Sequence, residues 1–236
     1  MLRSALMTIM TNAARKGARA IIRDFGEVEN LQVSRKGPGD YVTATDRKVE
    51  KVIRDELEKA REGYGFLMEE SGIVEGSDKT HRWILDPIDG TTNFMHGLPH
   101  FSISLALERE GQLVAGLVYN PISDEMFWAE KGKGAFVNEK RIRVAARRDL
   151  NDCIITMGIP HLGRGDQVRH LCEMEHIMPQ VAGLRRFGSA ALDLAYVASG
   201  RCDAFFEHGL SAWDMAAGIL LVREAGGFVT NAEGKK

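Results

Sequence analysis

The sequence predicts a layered α/β protein in which sheets are covered by helices. Helical patterns come first, hairpin-rich strands occupy the middle of the chain, and strands and helices alternate after Asp152. Sheets and amphipathic helices in this order bury their apolar faces against one another in layers. No Pro- or Ser-rich linker separates the parts, so we predict one domain over residues 1–236, with an α+β half at 1–150 and an α/β half at 151–236.

The first third of the chain alternates helices with short strands. Apolar residues at helical spacing predict a first helix that ends at Gly26 and a second helix that follows Asp46. The run Val28–Val33 favours an extended segment, and the Gly and Pro content of Arg35–Asp40 predicts a loop. Two buried strands then follow, at Tyr64–Met68 and Trp83–Leu85.

Turn residues divide the rest of the chain into short elements. E-G, N-P, K-G-K-G and N-E-K separate apolar runs in the manner of β-hairpins. The strands predicted there are Ile103–Leu107, Leu113–Tyr119, Met126–Ala129, Phe136 and Ile142–Val144. In the second half, strands are predicted at Ile154–Met157, Gly183–Phe187, Asp203–Glu207 and Gly227–Thr230, and helices at Gln167–Met178, Ser189–Ala198 and Ser211–Ala225.

Composition excludes several classes of function. Thirty-one basic against 33 acidic residues give a net charge of −2 and a pI near 6.4, which argues against a dedicated nucleic-acid or anionic-membrane binder. No window approaches the roughly 18 apolar residues of a membrane span. The three cysteines are widely spaced, and we interpret them as small buried residues in a reducing compartment. A cytoplasmic protein is therefore predicted.

The stretch W83-I-L-D86-P-I-D89-G-T91-T-N93 carries the most chemical information. A buried strand delivers Asp86 at its carboxyl end, where α/β sheets place their ligand sites. Asp89 follows three residues later, and Gly90 lets the backbone approach a ligand closely. Thr91 then opens a helix whose free N–H groups favour an anion. The alternative interpretation is that D-G is a simple turn and Asp86 a helix cap.

Two further acidic positions fit a metal site beside that stretch. Glu69 ends a predicted strand, and Asp214 lies in the first turn of an apolar helix, although a solvated turn and a dipole-favoured acid explain them as well. Two carboxylates about 4 Å apart repel by on the order of 4 kcal/mol at an effective dielectric near 20. A divalent cation removes this repulsion, and oxygen ligands without His or Cys favour Mg²⁺ or Mn²⁺.

The spacing of the two aspartates excludes one rival class. Haloacid-dehalogenase-type phosphatases place an Asp after a buried strand as D-x-D-G-T, whereas Asp86 and Asp89 are three positions apart. Asp86 is therefore predicted to be a metal ligand and not a nucleophile, so no aspartyl-phosphate is expected.

Together these motifs resemble those of the inositol monophosphatase family. The resemblance runs from the first helix to about Gly227 and includes T43-A-T-D46, M68-E-E-S71, W83 to F94, G188-S-A190, F206-E207 and W213-D-M-A-A-G218. It implies an αβαβα layered fold and a Mg²⁺-dependent phosphomonoesterase, with Mn²⁺ as a substitute metal. It also implies a homodimer and inhibition by Li⁺.

The resemblance also assigns roles to individual residues. Metal ligands would be Glu69, Asp86, the Ile88 carbonyl, Asp89 and Asp214. Thr91, hydrogen-bonded to Asp46, would orient the attacking water with help from Glu69. Substrate contacts would come from Gly90, Thr91, Asp89, Gly188, Ser189, Ala190 and Glu207.

Two departures from the family pattern bear on these expectations. Family members usually continue for another strand and helix beyond the equivalent of Asn231, whereas this chain stops at Lys236, so we expect either an incomplete sequence or the lack of an edge element. The sequence His208-Gly209-Leu210 beside Glu207 falls where family members vary, and it leaves the substrate open.

Three alternatives to inositol 1-phosphate hydrolysis remain open. A 3′(2′),5′-bisphosphate nucleotidase or a fructose-1,6-bisphosphatase would keep the same acids, and the two cations of R35-K-G-P-G39 could then meet a second phosphate. A regulatory or RNA-associated protein would use basic clusters such as Arg185-Arg186. At a net charge of −2 these clusters fit solvated faces better, so a small phosphorylated polyol or sugar is the expected partner, with no membrane or nucleic acid.

Overall fold

The computed structural model describes residues 3–25, 33–37, 40–160 and 165–235, with residues 33–37 and 40–42 described by their backbone alone. The helices in this part of the chain are α1 (Ala5–Phe25), α2 (Ala44–Ala60), α3 (Thr91–Met95), α4 (Gln167–Ile177), α5 (Ala190–Ala198) and α6 (Ala212–Glu224). The strands are β1 (Val33–Gly37), β2 (Asp40–Thr43), β3 (Tyr64–Met68), β4 (Gly72–Val74), β5 (Asp78–Asp89), β6 (Ser102–Arg109), β7 (Gln112–Asn120), β8 (Glu125–Glu130), β9 (Gly134–Val137), β10 (Lys140–Ile142), β11 (Ile154–Met157), β12 (Gly183–Arg185) and β13 (Ala204–Phe206).

An eight-stranded sheet in the order β10-β9-β8-β7-β6-β5-β3-β4 forms the middle of the fold. Side chains alternate across it, so that Trp83 and Leu85 of β5 face α1 and α2, whereas Ile84 faces α5 and α6. Both faces are buried, which explains why β5 is apolar on successive residues before its acidic end.

A second, parallel sheet in the order β12-β11-β13 completes the layers. Helix α5 contacts both β11 and β13 of this sheet and packs beside α6. On its other side, the buried His170 of α4 lies 5.7 Å, ring to ring, from Phe206 of β13. The order of layers is therefore α, β, α, β, α, as predicted.

Most predicted elements are present with shifted ends. Tyr64–Met68 and Ile154–Met157 have the bounds that the pattern predicts, whereas β5 extends well beyond Trp83–Leu85 in both directions. Helix α2 begins at Ala44 and not after Asp46, because Thr43 caps it and Asp46 lies in its first turn. The last hairpin strand ends at Ile142 and does not reach Val144.

Two predictions of local structure are wrong. The segment Arg35–Asp40 is not a loop throughout, because Arg35 pairs with Tyr41 and Gly37 with Asp40 in an antiparallel hairpin. Residues 38–39 and most of Val28–Val33 lie outside the described residues. Gly227–Thr230 is irregular and not a strand, and the Phe228 side chain is 81% exposed.

The structure tests the predictions about cysteine burial and about membrane-spanning helices. All three cysteines are free; Cys153 and Cys202 are buried as predicted, whereas the prediction is wrong for Cys172, which is exposed on α4. No helix among the described residues is long and apolar enough to cross a membrane.

Candidate metal and phosphate site

The carboxyl ends of β5 and β3 place the first acidic groups side by side. These strands are parallel, and Met68 of β3 pairs with Leu85 of β5. Glu69 follows directly, and its N–H donates to the Leu85 carbonyl at 3.1 Å. Asp86 and Asp89 are both buried at the end of β5, where the register against β6 shifts between them. Asp86 pairs with Ser104 and Asp89 with Ser102, so β5 has one extra residue between the two aspartates, and this bulge lets side chains three positions apart reach the same cluster.

A buried glutamate of α2 holds the turn that carries Glu69. The Glu50 carboxylate accepts the Glu70 N–H at 2.8 Å and the Ser71 hydroxyl. Glu50 is almost fully buried, so this contact fixes the turn to α2. The sequence pattern of α2 shows an amphipathic helix and gives no signal for this long-range role.

The start of α6 brings the remaining acid to the same place. Asp214 completes a capping box in which its Oδ2 accepts the Ser211 N–H at 2.7 Å. The Ser104 hydroxyl of β6 donates to the Trp213 carbonyl at 2.9 Å and ties this helix end to the large sheet. A helix N-terminus also favours a negative charge at that position.

Three of the predicted metal ligands form a tight cluster. One carboxylate oxygen from each of Asp86, Asp89 and Asp214 lies within 4.8 Å of the others. Glu69 adjoins this cluster, because it makes the largest charge contribution to the raised pKa of Asp86 and also hydrogen-bonds with that side chain. The donor set consists of oxygen alone and is mostly buried, which fits a hard divalent cation.

The electrostatics of the cluster show why a cation suits it. Burial raises the pKa of Asp86 well above its usual value, and the charges of Glu69, Asp89 and Asp214 raise it further. Burial also raises the pKa of Asp89 to about 8, with Asp214 as the largest charge contribution. A divalent cation would displace the protons that these acids retain in the metal-free protein, and it would stabilise their ionised carboxylates.

The start of α5 orients the Asp89 carboxylate through two hydrogen bonds. Its Oδ2 accepts the Ala191 N–H at 2.8 Å and the Ser189 hydroxyl. Ser189, which the resemblance assigns to substrate, is buried and uses its hydroxyl for this contact.

The turn after β5 contains the predicted water-activating group. Gly90 has φ +98°, a left-handed conformation that suits glycine, and it precedes α3. Thr91 Oγ1 lies 3.1 Å from Asp46 Oδ1 and 3.0 Å from the Ile88 carbonyl oxygen, so its proton has two acceptors. Burial raises the pKa of Asp46, and hydrogen bonds from Thr43 and Thr91 oppose that rise. The structure thus joins Thr91, Asp46 and the Ile88 carbonyl.

A cavity of about 570 Å³ lies over these groups. Eight of the predicted site residues line it: Glu69, Asp89, Gly90, Thr91, Gly188, Ala190, Glu207 and Asp214. Asp46, Asp86, Ile88 and Ser189 do not line it, but each lies against a residue that does, either Thr91 or Asp89. The structure therefore gathers all twelve predicted residues at one place in two shells.

The wall of the cavity formed by α5 and the end of β13 is acidic, and the sequence patterns did not predict all of its acidic residues. Asp193 of α5 lines the cavity, is 1% exposed, and its Oδ1 has no hydrogen-bond partner among the described residues. Burial, Asp89 and Glu207 raise the pKa of Asp193 to about 8. Burial and Asp214 raise the pKa of Glu207 to about 7, whereas Arg186 opposes both shifts. The sequence offered one signal for Asp193, because it is the one charged residue in the otherwise apolar helix α5.

Comparisons with known proteins cover nearly the whole chain. Residues 3–236 match the sequence model of the Inositol monophosphatase family. A protein of Mesorhizobium japonicum named Inositol-1-monophosphatase is 62% identical over 234 residues, with 99% of this chain and 88% of that one covered. Nus factor SuhB of Escherichia coli is 42% identical over 229 residues, covering 97% and 86%. The crystal structure of extragenic suppressor protein suhB from Bartonella henselae matches with a TM-score of 0.96 at 59% identity, covering 98% and 89%.

Proposed function

The chain belongs to the inositol monophosphatase family, and from this premise we propose that it hydrolyses inositol 1-phosphate to inositol and phosphate. It is thus a phosphoric monoester hydrolase. The observation that carries the proposal is the convergence of three carboxylates with the Gly90–Thr91 turn at the end of β5. Hydrolysis of a phosphate ester needs both parts of this site: a divalent metal for the phosphoryl oxygens and the attacking water, and backbone N–H donors for the anionic phosphate.

Mg²⁺ is the metal that the donor set supports best, with Mn²⁺ as a substitute. Its ligands would be Glu69, Asp86, the Ile88 carbonyl, Asp89 and Asp214. When bound, such ions neutralise phosphoryl oxygens and lower the pKa of a nearby water. The raised pKa of Asp86 and Asp89 supports this assignment, because these buried acids lack a counter-charge of their own.

The chain's own residues then orient a direct attack by water on phosphorus. The Thr91 hydroxyl donates to Asp46, so a lone pair of Thr91 Oγ1 is free to accept a hydrogen bond from the water. Glu69, which lines the same cavity, accepts the other hydrogen bond and takes that one proton as the water attacks. The N–H groups of Gly90 and Thr91 at the start of α3 hold the phosphate oxygens. Such a direct attack forms no covalent phosphoryl intermediate, and it requires water and leaving group on opposite sides of phosphorus.

The leaving polyol would face the acidic wall. Gly188 and Ala190 leave room for a ring, and the Glu207 carboxylate is placed to accept hydrogen bonds from its hydroxyl groups. Ser189 contributes by holding Asp89. This wall also contains Arg186, a cation that a second phosphate could pair with, so the ester panel decides between a polyol and a bisphosphate. The side chains of Arg35 and Lys36, the sequence's candidates for a second phosphate, lie outside the described residues.

A panel of three esters tests this substrate assignment. Phosphate release is measured from inositol 1-phosphate, fructose 1,6-bisphosphate and adenosine 3′,5′-bisphosphate, each with Mg²⁺, with EDTA, and with Mg²⁺ plus Li⁺. We expect Mg²⁺-dependent, Li⁺-inhibited turnover with the highest kcat/KM on inositol 1-phosphate. A higher kcat/KM on either bisphosphate would move the assignment to the bisphosphatase alternatives.

A second candidate function is a regulatory, RNA-associated role. The 42% identity to a protein named Nus factor SuhB favours it, whereas the net charge of −2 does not. Binding of RNA by the intact chain that weakens steeply with salt, together with no turnover on the panel, would support this candidate over the phosphatase.

We further propose that the enzyme is a cytoplasmic homodimer. Free cysteines support a reducing compartment. Val168 and Leu171 lie one turn apart on α4 and are exposed, as is Met178 directly after this helix, and contiguous exposed apolar groups are typical of interfaces. Sedimentation equilibrium at micromolar concentration distinguishes the dimer from a monomer.

A further inference from the structure

Gly158 and Glu207 lie side by side at the carboxyl ends of two paired strands. Strands β11 and β13 are parallel, and Met157 pairs with Phe206. The Gly158 N–H donates to the Phe206 carbonyl at 3.2 Å and continues this pairing by one step. Both residues line the cavity, at the sheet edge where α/β proteins bind their ligands.

The Glu207 carboxylate occupies the space that a side chain at position 158 would need. An ideal Cβ built on Gly158 would lie 1.8 Å from the Glu207 carboxyl carbon and 2.1 Å from each of its oxygens. Non-bonded atoms do not approach so closely, so the carboxylate and a Cβ at position 158 exclude each other. Gly158 is not among the glycines with positive φ, so its backbone conformation suits other residues. Space, and not conformation, is therefore what the glycine provides.

We propose that Gly158 is a positioning residue for substrate recognition, because its missing side chain allows the Glu207 carboxylate to lie over β11 and face the substrate ring. This inference rests on the proposed role of Glu207 and adds the feature of the chain that places it. A residue with any side chain at position 158 turns the carboxylate away from the cavity wall.

The substitution Gly158→Ala tests this placement. The clashing atoms belong to the end of a flexible side chain, so Glu207 can rotate away and the fold is retained. A carboxylate–hydroxyl hydrogen bond lost in this way raises KM for inositol 1-phosphate on the order of tenfold to a hundredfold. We expect kcat to change little, since Thr91 and the acidic cluster are untouched. With 4-nitrophenyl phosphate, whose leaving group bears no hydroxyl that Glu207 could hold, KM should change less than twofold.

Gly183→Ala is the matched control. Gly183 begins β12 of the same small sheet, away from the cavity, and its Cβ would also meet only the end of a flexible charged side chain, that of Arg185. The KM values for both esters should remain those of the wild type. A tenfold rise in this variant would show that any glycine substitution in the sheet disturbs the site, and it would overturn the inference.

A double-variant cycle separates this inference from the proposed function. The four proteins are the wild type, Gly158→Ala, Glu207→Ala and the double variant. We expect Gly158→Ala to raise KM in the wild type but to have no further effect once Glu207 is alanine. If Gly158→Ala alone fails to fold, the double variant should fold, because the clashing carboxylate is absent.

Each contrary outcome identifies a different error. If Glu207→Ala leaves KM unchanged, Glu207 does not contact the substrate, and the proposed recognition fails along with the inference. If Glu207→Ala raises KM but Gly158→Ala does not, recognition by Glu207 holds and the positioning role of Gly158 is wrong. Equal effects of Gly158→Ala in both backgrounds, or a double variant that does not fold, would also overturn the positioning role.

Discussion

Asp89→Asn is expected to lower kcat at least 100-fold without unfolding the protein. Asp89 is one of three converging carboxylates, and an amide removes a charge and a strong metal ligand at the centre of the site. The asparagine carbonyl can still accept the bonds that Ser189 and Ala191 donate, so the local structure is retained. A loss of this size corresponds to about 2.7 kcal/mol of transition-state stabilisation. It is measured as kcat on inositol 1-phosphate at saturating Mg²⁺, beside a thermal unfolding curve.

Asp55→Asn provides the control for this experiment. Asp55 lies on the exposed side of α2, where it pairs with Lys51, and it does not line the cavity. The same chemical change there should leave kcat at the wild-type value. Activity of Asp89→Asn within threefold of the wild type would remove Asp89 from the site.

The metal-free protein is expected to become less stable as the pH rises from about 4 to about 8. The pKa of Asp89 is near 3.8 in the unfolded chain and about 8 in the folded one, so the folded state binds this proton more tightly. Over this window ionisation of Asp89 lowers the free energy of the unfolded chain but not that of the folded state, so the free energy of unfolding falls. Asp86 and Asp193 shift in the same direction. With about 1.4 kcal/mol for each pKa unit, the total is on the order of several kcal/mol.

Urea unfolding in EDTA at pH 5, 6.5 and 8 measures this effect. The pKa of Asp78 is lowered to about 2, so the stability that it contributes is complete by about pH 5 and does not interfere. Excess Mg²⁺ should remove the decline, since a ligand at 100 times its Kd adds about 2.7 kcal/mol. Asp89→Asn should flatten the slope in EDTA. Stability that is constant or rises with pH in EDTA would contradict the raised pKa values.

The predictable part of the site consists of local patterns. Asp86 and Asp89 end an apolar strand, and Asp214 begins an apolar helix, so each interrupts a pattern visible within about ten residues. The motifs that carry the family resemblance are equally local. These acids come together because β5 belongs to the large sheet and α6 packs on that sheet.

The unpredicted part depends on contacts between distant segments. Glu50 is an ordinary helix residue in sequence and becomes the anchor of the Glu69 turn only through the packing of α2. Gly158 and Glu207 are neighbours because two parallel strands pair across 49 residues, since Gly158 follows Met157 and Glu207 follows Phe206. The same limitation explains the segment Arg35–Asp40, in which turn residues suggested a loop but cross-strand pairing forms a hairpin.

The central claim is that water, oriented by Thr91 and Glu69, attacks phosphorus directly at the acidic cluster. The stereochemical course of hydrolysis tests it most directly. The substrate is inositol 1-phosphorothioate made chiral at phosphorus by oxygen isotopes, and hydrolysis takes place in isotopically labelled water with Mg²⁺. A single in-line displacement predicts inversion of configuration at phosphorus. Retention would require two displacements through a phosphorylated protein side chain and would contradict the account.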